Sequence, residues 1–558
     1  MTAEWIFGLT QQVSSWSAAT RTVCLLLVPL VYGASAMLAS SLGPSHHHTR
    51  EQTARGWAWA EWGAVASLAL AALSLLFLLL SDRPLSVAGG FFIADALGCT
   101  VLLLVSFIGW VIVRYSRTCL FGEAHQARFR GWLLLTLATV SLVVISNHLA
   151  VLTVAWFATS VALHQLLVFY GDRRPALVAA HKKFLASRLA DLFLATAVVL
   201  IASTEHLLFI DQIAARAQML AASGALPWPL QTATVLIVVA ALLKCAQLPV
   251  HGWLIQVMEA PTPVSALLHA GVVNLGGFVL IRMSGLLSEV PAAQTLLVLV
   301  GSSTAVLAAL VMMTRISVKV MLAWSTCAQM GFMLMQCGLG AYQLALLHLV
   351  GHSLYKAHAF LAAGGAVEQA RLQRLTAPAA ALSKGAVLSS AAVGLFLSAA
   401  SVAGAAMLWR VPLMQAPVLG VLTWIVCLAL VPLLGKQALR VGGLGPLLLM
   451  TCSFALASLY FALHHVAVAW VGTATLPQRD QPGLWLWVVF SFSALFVLQT
   501  WIRGRPQSQL SRRFYPWFYA GLYLDEWFTR LSFRVWPVRL GIPSTSASAQ
   551  PVVVSKGF

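Results

Sequence analysis

Charged residues are scarce in this chain, and acidic ones are the scarcest. Only 9% of its 558 residues are charged, with 16 acidic against 34 basic side chains, whereas 60% are hydrophobic and the mean hydropathy is +0.86. No ordinary soluble domain has this composition. The net charge of +18 is therefore interpreted through its distribution along the chain, as a sign of membrane topology rather than of nucleic-acid binding.

Several cofactor-binding patterns are also missing. The eight cysteines are scattered without a C-x-x-C pair, so they predict small packing residues and neither a disulfide framework nor a metal site. The adjacent His46, His47 and His48 cannot easily converge on one ion, so no metal is expected in this chain. There is no G-x-x-x-x-G-K-[ST] loop and no haem or iron–sulfur spacing. ATP hydrolysis and a bound redox cofactor are therefore not expected.

Apolar runs of about 18 to 25 residues recur along the chain and predict an all-α polytopic membrane protein. The first run is too long for a signal peptide and lacks a convincing cleavage site, so we expect it to be retained as a span. About 15 transmembrane helices are predicted, at 22–42, 63–80, 96–113, 132–147, 149–169, 184–203, 232–254, 262–286, 292–313, 317–338, 342–364, 385–408, 414–434, 443–471 and 483–502.

Basic residues favour the loops that follow odd-numbered spans, for example Arg128, Arg173 and Arg315. By the positive-inside rule these loops face the cytoplasm, which predicts an N-terminus outside and a cytoplasmic C-terminal tail. The tail mixes Trp and Tyr with Arg, Asp and Glu. This composition is typical of a helix that lies at the membrane interface or against a partner. Asp95, at the start of the third span, is interpreted as an interfacial helix cap.

Lys244 is the most unusual residue of the apolar runs. It follows about ten apolar residues and precedes Pro249, which has no N–H to donate and must interrupt the helix. A charge at membrane depth costs at least about 2.5 kcal/mol, so it normally faces a polar pathway or a partner. His269 lies in the next span, whereas His251 is interpreted as peripheral. Lys244 and His269 together predict a proton path.

A second polar set comes earlier, in HKKFLASRLAD, which contains Lys182, Arg188 and Asp191. Arg188 and Asp191 are three residues apart and lie on one helix face. One interpretation is an ion pair that neutralises two buried charges. The other is that this pair tunes a neighbouring lysine through its charge. The sequence leaves both open.

The third polar set forms a stripe. His348, His352 and Lys356 are spaced i, i+4, i+8, so they share one face of one helix. The stripe is about 12 Å long at 1.5 Å per residue. Three titratable groups in register favour a relay over isolated core residues, and His358 falls off the stripe.

Four ordered segments carry a resemblance to a known family. KCAQLPVHGWL, MEAPTPVSALLHA, RISVKVMLAWSTCAQMGFM and LHLVGHSLYKAHAFL are similar to signatures of the proton-translocating antiporter-like family. This family includes antiporter-type subunits of respiratory complex I, Mrp antiporter subunits, and the membrane subunits (DabB) of DAB-type inorganic-carbon accumulation complexes. The resemblance implies two inverted five-helix repeats, each with a broken helix. It also implies that Lys244 is the central lysine, His269 the next relay, and the stripe the polar axis between two half-channels.

The implied organisation has five parts. They are N-terminal scaffold helices in 1–130, a first antiporter-like repeat in 131–290, a second in 291–435, C-terminal transmembrane helices in 436–505, and a partner-binding tail in 506–558. Lys182, Arg188 and Asp191 match the polar motif of the sixth span. Phe157, however, occupies the position of the glutamate that complex I-type members pair with the central lysine. The twelfth span also lacks an exit lysine.

These departures, and the tail segment YAGLYLDEWFTRL, favour the DAB-type branch. That branch implies a large cytoplasmic partner (DabA) with a carbonic-anhydrase-like zinc site, so this chain is expected to be a transport subunit and not itself an enzyme. Cation influx would drive CO2 hydration to bicarbonate in the partner. We expect the cation to be H+, although the sequence does not distinguish H+ from Na+. The alternatives are a subunit of a respiratory, hydrogenase or Mrp-type complex, and a structural scaffold with a dead channel.

Overall fold

Long apolar helices dominate the chain. A computed structural model describes residues 18–41, 50–81, 84–224, 226–365, 382–440, 444–472 and 481–537. The helices of the N-terminal part are α1 Ala18–Ser41, α2 Arg50–Ser81, α3 Ala96–Cys119, α4 Gln126–Ile145, α5 Leu149–Leu167, α6 Arg174–Glu205 and α7 Ile210–Ala222. The predicted all-α polytopic membrane fold is confirmed.

The middle of the chain contains the interrupted helices. They are α8 Trp228–Lys244, α9 Gly252–Gln256, α10 Thr262–Ala270, α11 Leu275–Arg282 and α12 Ser284–Leu287. Uninterrupted helices follow, namely α13 Pro291–Met312, α14 Val318–Gly338, α15 Tyr342–Leu361, α16 Lys384–Leu408, α17 Pro417–Arg440, α18 Gly445–Val471 and α19 Pro482–Gly504. Two short helices, α20 Gln509–Tyr519 and α21 Leu524–Val535, complete the described tail.

Thirteen helices within these described ranges are long and apolar enough to cross a membrane. The two other predicted spans correspond to α8, which has 17 residues, and to α15, which carries the polar stripe. Thirteen predicted spans therefore coincide with one helix each, 232–254 and 262–286 contain interrupted helices, and the total of about 15 crossings stays a prediction. Sequence patterns did not reveal the amphipathic α7 or the hairpin β1 Leu85–Val87 and β2 Phe92–Ala94, which pair antiparallel.

The helix breaks differ from the expected pattern. The predicted interruption near Pro249 is present, since α8 ends at Lys244 and α9 begins at Gly252. A second interruption separates α10 from α11 at Gly271 to Asn274. The break expected in the second repeat is absent from α13 to α17 over their described residues. The physical reason in α16 is the lack of a proline, so every residue keeps its N–H donor. The inverted repeats themselves stay a prediction.

Polar contacts mark the two ends of the bundle. At the end that carries the hairpin, the Asp95 side chain caps α3 by accepting from Gly98 N at 2.8 Å and forms an ion pair with Arg282. The predicted cap is thus confirmed. At the opposite end, which we call the tail face, α20 and α21 lie against α6, α9 and the connection between α13 and α14. The helices alternate between these two ends and frame the polar groups between them.

Candidate functional site: a buried polar pathway

Lys244 is the last residue of α8, so its side chain projects where the helix stops. The interruption that follows includes Ala246 with a φ of 52° and Pro249. The Lys244 Nζ lies 2.6 Å from Asp191 Oδ1 on α6, and the side chains are 7% and 12% exposed. The ammonium also lies 4.4 Å from the centre of the Trp156 ring. Lys244 is therefore held by a carboxylate and an aromatic face inside the bundle.

Asp191 is shared between two cations. Its Oδ2 lies 2.9 Å from Arg188 Nη2, which matches the i, i+3 pair predicted from the sequence. The Arg188 guanidinium in turn lies 4.1 Å from the centre of the Phe157 ring. Both open interpretations of this pair therefore describe the same contact: Asp191 neutralises Arg188 and also lies next to a lysine. The position expected to hold a glutamate holds a ring that covers Arg188 instead.

Sequence reasoning missed Lys183, which is only 3% exposed. Its Nζ donates to the Ser160 carbonyl at 2.6 Å and contacts Ser160 Oγ at 2.9 Å. Lys183 and Lys244 line one cavity of about 20 Å³, which has room for a water molecule. The available signal was spacing, because Lys183, Ser187 and Asp191 are at i, i+4 and i+8.

Lys182, the predicted pathway residue, faces elsewhere. Its side chain is fully buried, but its Nζ contacts Asp525 Oδ1 at 2.5 Å and Thr529 Oγ1 at 2.9 Å, both on α21. Adjacent residues of a helix differ by about 100° in direction, so only one of the two lysines can face the cavity. The structure brings Lys183, not Lys182, next to Lys244.

The stripe predicted on α15 lies on one face, as expected from its spacing. His348 Nδ1 is 2.9 Å from Gln336 Oε1, and the rings of His348 and His352 are 5.9 Å apart. Lys356 is fully buried, and its Nζ donates to the Leu322 carbonyl at 3.0 Å. These groups form a polar column between α14 and α15.

His269 packs against α15, the helix that carries the stripe. Its ring stacks on Phe360 of α15 at 4.4 Å, and neither ring nitrogen has a hydrogen-bond partner within the described ranges. The interruption after α10 is tied to α15 by Asn274, whose Nδ2 donates to Ser353 Oγ at 2.7 Å. Val272 in this interruption lines both the Lys244 cavity and a second cavity of about 20 Å³ beside Ser353.

Six of the eight predicted site residues therefore form two clusters, while Lys182 faces α21 and His269 stacks on Phe360. Asp191, Arg188 and Lys244 meet at the first helix break, and His348, His352 and Lys356 follow α15. His251, interpreted from the sequence as peripheral, is in fact fully buried, with its ring 4.8 Å from that of Trp324. The reason is that the chain after Pro249 stays inside the bundle as α9.

Metal ligation has no support in this part of the molecule. No group of three or more His, Cys, Asp or Glu side chains is positioned to hold an ion among the residues the structure describes. His46, His47 and His48 lie outside those residues. Apart from the Arg188 guanidinium, these two clusters and His269 consist of amines, imidazoles and one carboxylate, which are groups that bind and release protons.

Comparisons with known proteins agree with this arrangement. Residues 146–431 match the family described as NADH:quinone oxidoreductase/Mrp antiporter, TM. The probable inorganic carbon transporter subunit DabB of Hydrogenovibrio crunogenus is 42% identical over 82% of this chain and 86% of its own length. Subunit DabB2 of Halothiobacillus neapolitanus is 38% identical over 95% of this chain and 97% of its own length. The resemblance predicted from the motifs is confirmed.

A solved structure supports the fold. A chain of the Mrp complex from Dietzia sp. superposes with a TM-score of 0.56, covering 92% of this chain and 60% of that one at 24% sequence identity. At this identity the likeness concerns the architecture of the membrane helices only.

The Lys244–Asp191 contact makes a prediction about stability. We expect Asp191→Asn to destabilise the protein by about 3 kcal/mol or more, because removing one partner leaves a buried charge uncompensated. The double variant Asp191→Asn/Lys244→Gln should recover the part of this loss that comes from Lys244, while Arg188 still lacks its carboxylate. Thermal unfolding in detergent measures both.

Glu51→Gln is the matched control. It breaks an ion pair with Arg55 in which both side chains are at least 67% exposed, and we expect a change below about 0.5 kcal/mol. If Asp191→Asn were as mild as this control, Lys244 would have to be neutral or hydrated in the native protein.

Proposed function

Because this chain belongs to the NADH:quinone oxidoreductase/Mrp antiporter membrane family, and its relatives matched over most of their length are named inorganic carbon transporter subunits, we propose that it is the cation-conducting subunit of an inorganic-carbon uptake complex. The observation that carries conduction is the Lys244–Asp191 ion pair at a helix break. A broken helix and a titratable pair inside the bundle supply what a proton needs to cross an apolar layer.

The proposed pathway contains the eight predicted residues and Lys183. They are Lys182, Lys183, Arg188, Asp191, Lys244, His269, His348, His352 and Lys356. Lys244 is the switch, because its attraction to Asp191 changes when either group gains or loses a proton. His269 connects Lys244 to the stripe, and a water in the Lys244 cavity, which has a polar lining, bridges part of the gap that side chains do not span.

The proposed complex divides conduction from chemistry. CO2 hydration by a zinc-bound hydroxide is reversible, so net accumulation requires an external source of free energy. A cation gradient supplies about 2.3 kcal/mol per charge per 100 mV. The zinc site belongs to a large cytoplasmic carbonic-anhydrase-like partner of the DabA type. This chain is then a transport subunit without catalysis of its own.

The proposed topology places this multi-pass membrane protein in a bacterial inner membrane. Its tail face, which carries Arg173, Lys182 and Arg315, is cytoplasmic, and the hairpin end is outside. The parts are those predicted: scaffold helices to residue 130, repeats over 131–290 and 291–435, further membrane helices to 505, and the tail in 506–558. The alternative function is H+ or Na+ translocation in a respiratory, hydrogenase or Mrp-type complex, which the family description also covers.

Co-purification separates the two functions. We expect the tagged chain, extracted gently from its native membrane, to bring down one large soluble-type subunit with about one zinc ion per complex, as a single catalytic site requires. Mass spectrometry and metal analysis of the complex measure this. Recovery of iron–sulfur subunits or of several sibling antiporter subunits would move the chain to the alternative function.

Lys244→Ala tests conduction directly. We expect it to reduce gradient-dependent bicarbonate accumulation by roughly a hundredfold at normal expression, because the pathway loses its central titratable group. Lys384→Ala is the control, since Lys384 lies at the exposed start of α16. Accumulation that survives Lys244→Ala would leave the chain as a structural scaffold.

α15 provides both a test residue for the stripe and a control residue on the same helix. His352 is buried on the stripe, whereas His358 is exposed on another face of the same helix. We expect His352→Ala to lower accumulation by roughly tenfold or more without preventing assembly, because a relay group is lost. His358→Ala should leave accumulation unchanged. Equal effects of the two substitutions in the uptake assay would remove the stripe from the pathway.

A further inference from the structure

Asp525 in the C-terminal tail joins two elements of the first repeat. Its Oδ1 contacts Lys182 Nζ at 2.5 Å, and its Oδ2 accepts from Gln256 Nε2 at 2.8 Å. The Lys182 side chain is fully buried and Asp525 is 27% exposed. The ion pair is therefore largely buried in the bundle, and only Asp525 is partly exposed, at the tail face. Solvent screens such a pair less than it screens an exposed pair on a protein surface.

Only a thin layer separates Asp525 from the Lys244 cavity. Gly252 and Gln256 share one face of the five-residue helix α9. The carboxylate of Asp525 occupies the space that a side chain at Gly252 would need. Trp253, which follows Gly252 in the chain, lines the cavity that also contains Lys244 and Lys183. One short helix thus has the cavity on one side and the tail carboxylate on the other.

The same division occurs on α6. Lys183 faces the cavity and Lys182 faces Asp525, although the two lysines are adjacent in sequence. His251 is fully buried, and both of its ring nitrogens lack a hydrogen-bond partner in the part of the chain that the structure covers. The His251 ring lies beside that of Trp324, over which Arg315 lies at 5.3 Å, and the Asp525 carboxylate lies against Gly252, the next residue in the chain. Titratable groups therefore continue from the cavity to the tail.

The tail backbone is constrained in a way that fixes Asp525. Gly521, Leu522 and Tyr523 have φ values of 63°, 61° and 59°. A left-handed conformation is unfavourable for Leu and Tyr and persists only where the surroundings hold it.

Contacts with the second repeat hold this turn. The Phe518 carbonyl accepts from Arg315 Nη2 at 3.4 Å, and the Arg315 guanidinium lies 5.7 Å from the centre of the Tyr519 ring. Gly521 packs against Trp324. On the other side, the Trp536 carbonyl lies 2.8 Å from His181 Nε2 on α6. The tail is therefore fastened to both halves of the bundle, with Asp525 between them.

We propose that Asp525 is the carboxylate through which the conducted proton passes between the Lys244 cavity and the tail face, by way of Lys182 and His251. The tail is then part of the conducting machinery, not only a segment for attaching a partner. Lys182 keeps a place in the pathway as the link to Asp525, even though it does not face Lys244. This inference rests on the proposed conducting function.

The test uses the purified complex reconstituted into proteoliposomes with an imposed cation gradient. Cation flux and inorganic-carbon uptake are measured separately. We expect Asp525→Asn to reduce cation flux by roughly tenfold or more, because an amide keeps the hydrogen-bonding shape but cannot exchange a proton. Asp525→Glu should recover a substantial part of the flux. Glu526→Gln, which removes an exposed acid from the same helical turn, should leave the flux unchanged.

A second measurement separates conduction from tail attachment. Limited trypsin digestion at Arg512 and Arg513 on α20 reports whether the tail stays docked, because cleavage at these exposed residues still requires local unfolding of the helix. Flux lost with the tail still protected supports the proposal. Normal flux in Asp525→Asn, or flux lost only together with tail protection, overturns it. If the unmodified complex conducts cations without taking up inorganic carbon, the proposed carbon uptake fails while the Asp525 comparison remains valid.

Discussion

The structure depends on one ion pair whose charges could not be buried in a membrane separately without a large cost in free energy. Lys244 ends a helix that cannot continue, and its ammonium lies 2.6 Å from Asp191. In a bilayer neither charge is tolerable alone, because each would lose its hydration without compensation. The positions of α6 and α8 are thereby fixed relative to each other. Their arrangement in turn creates the cavity that contains Lys183 and Trp253.

The sharing of Asp191 matters for how this pair responds to protons. One carboxylate faces both Lys244 and Arg188, and Lys183 lies nearby. The local charge is positive when all of these side chains are ionised, so release of a proton from a lysine relieves repulsion. Phe157 adds no carboxylate and instead covers the guanidinium. The balance between Lys244 and Arg188 is therefore set by Asp191, on the helix that also carries Lys183.

The sequence predicted those features that follow from the helical periodicity of polar residues and from the hydropathy of the chain. The membrane helices, the interruption at Pro249, the Arg188–Asp191 contact and the α15 stripe all come from spacing along one helix. The contacts that the sequence did not predict join segments that are far apart along the chain. The sequence does not indicate whether Lys182 or Lys183 faces the Lys244 cavity, because that depends on where α5 and α21 pack. The burial of His251 and the interruption at Gly271 likewise arise from tertiary packing of α9 to α11.

The tail gives the clearest example of this difference. Its Trp, Tyr and Arg residues fit a helix at a membrane interface, and many of them are indeed exposed. Its acidic first turn has another role, because Asp525 contacts Lys182 and Gln256, which precede it by 343 and 269 residues. A composition argument averages over a helix and cannot separate two faces with different partners. The outer aromatic face of the tail can contact lipid or another subunit, while its inner face completes the polar contacts of α6 and α9.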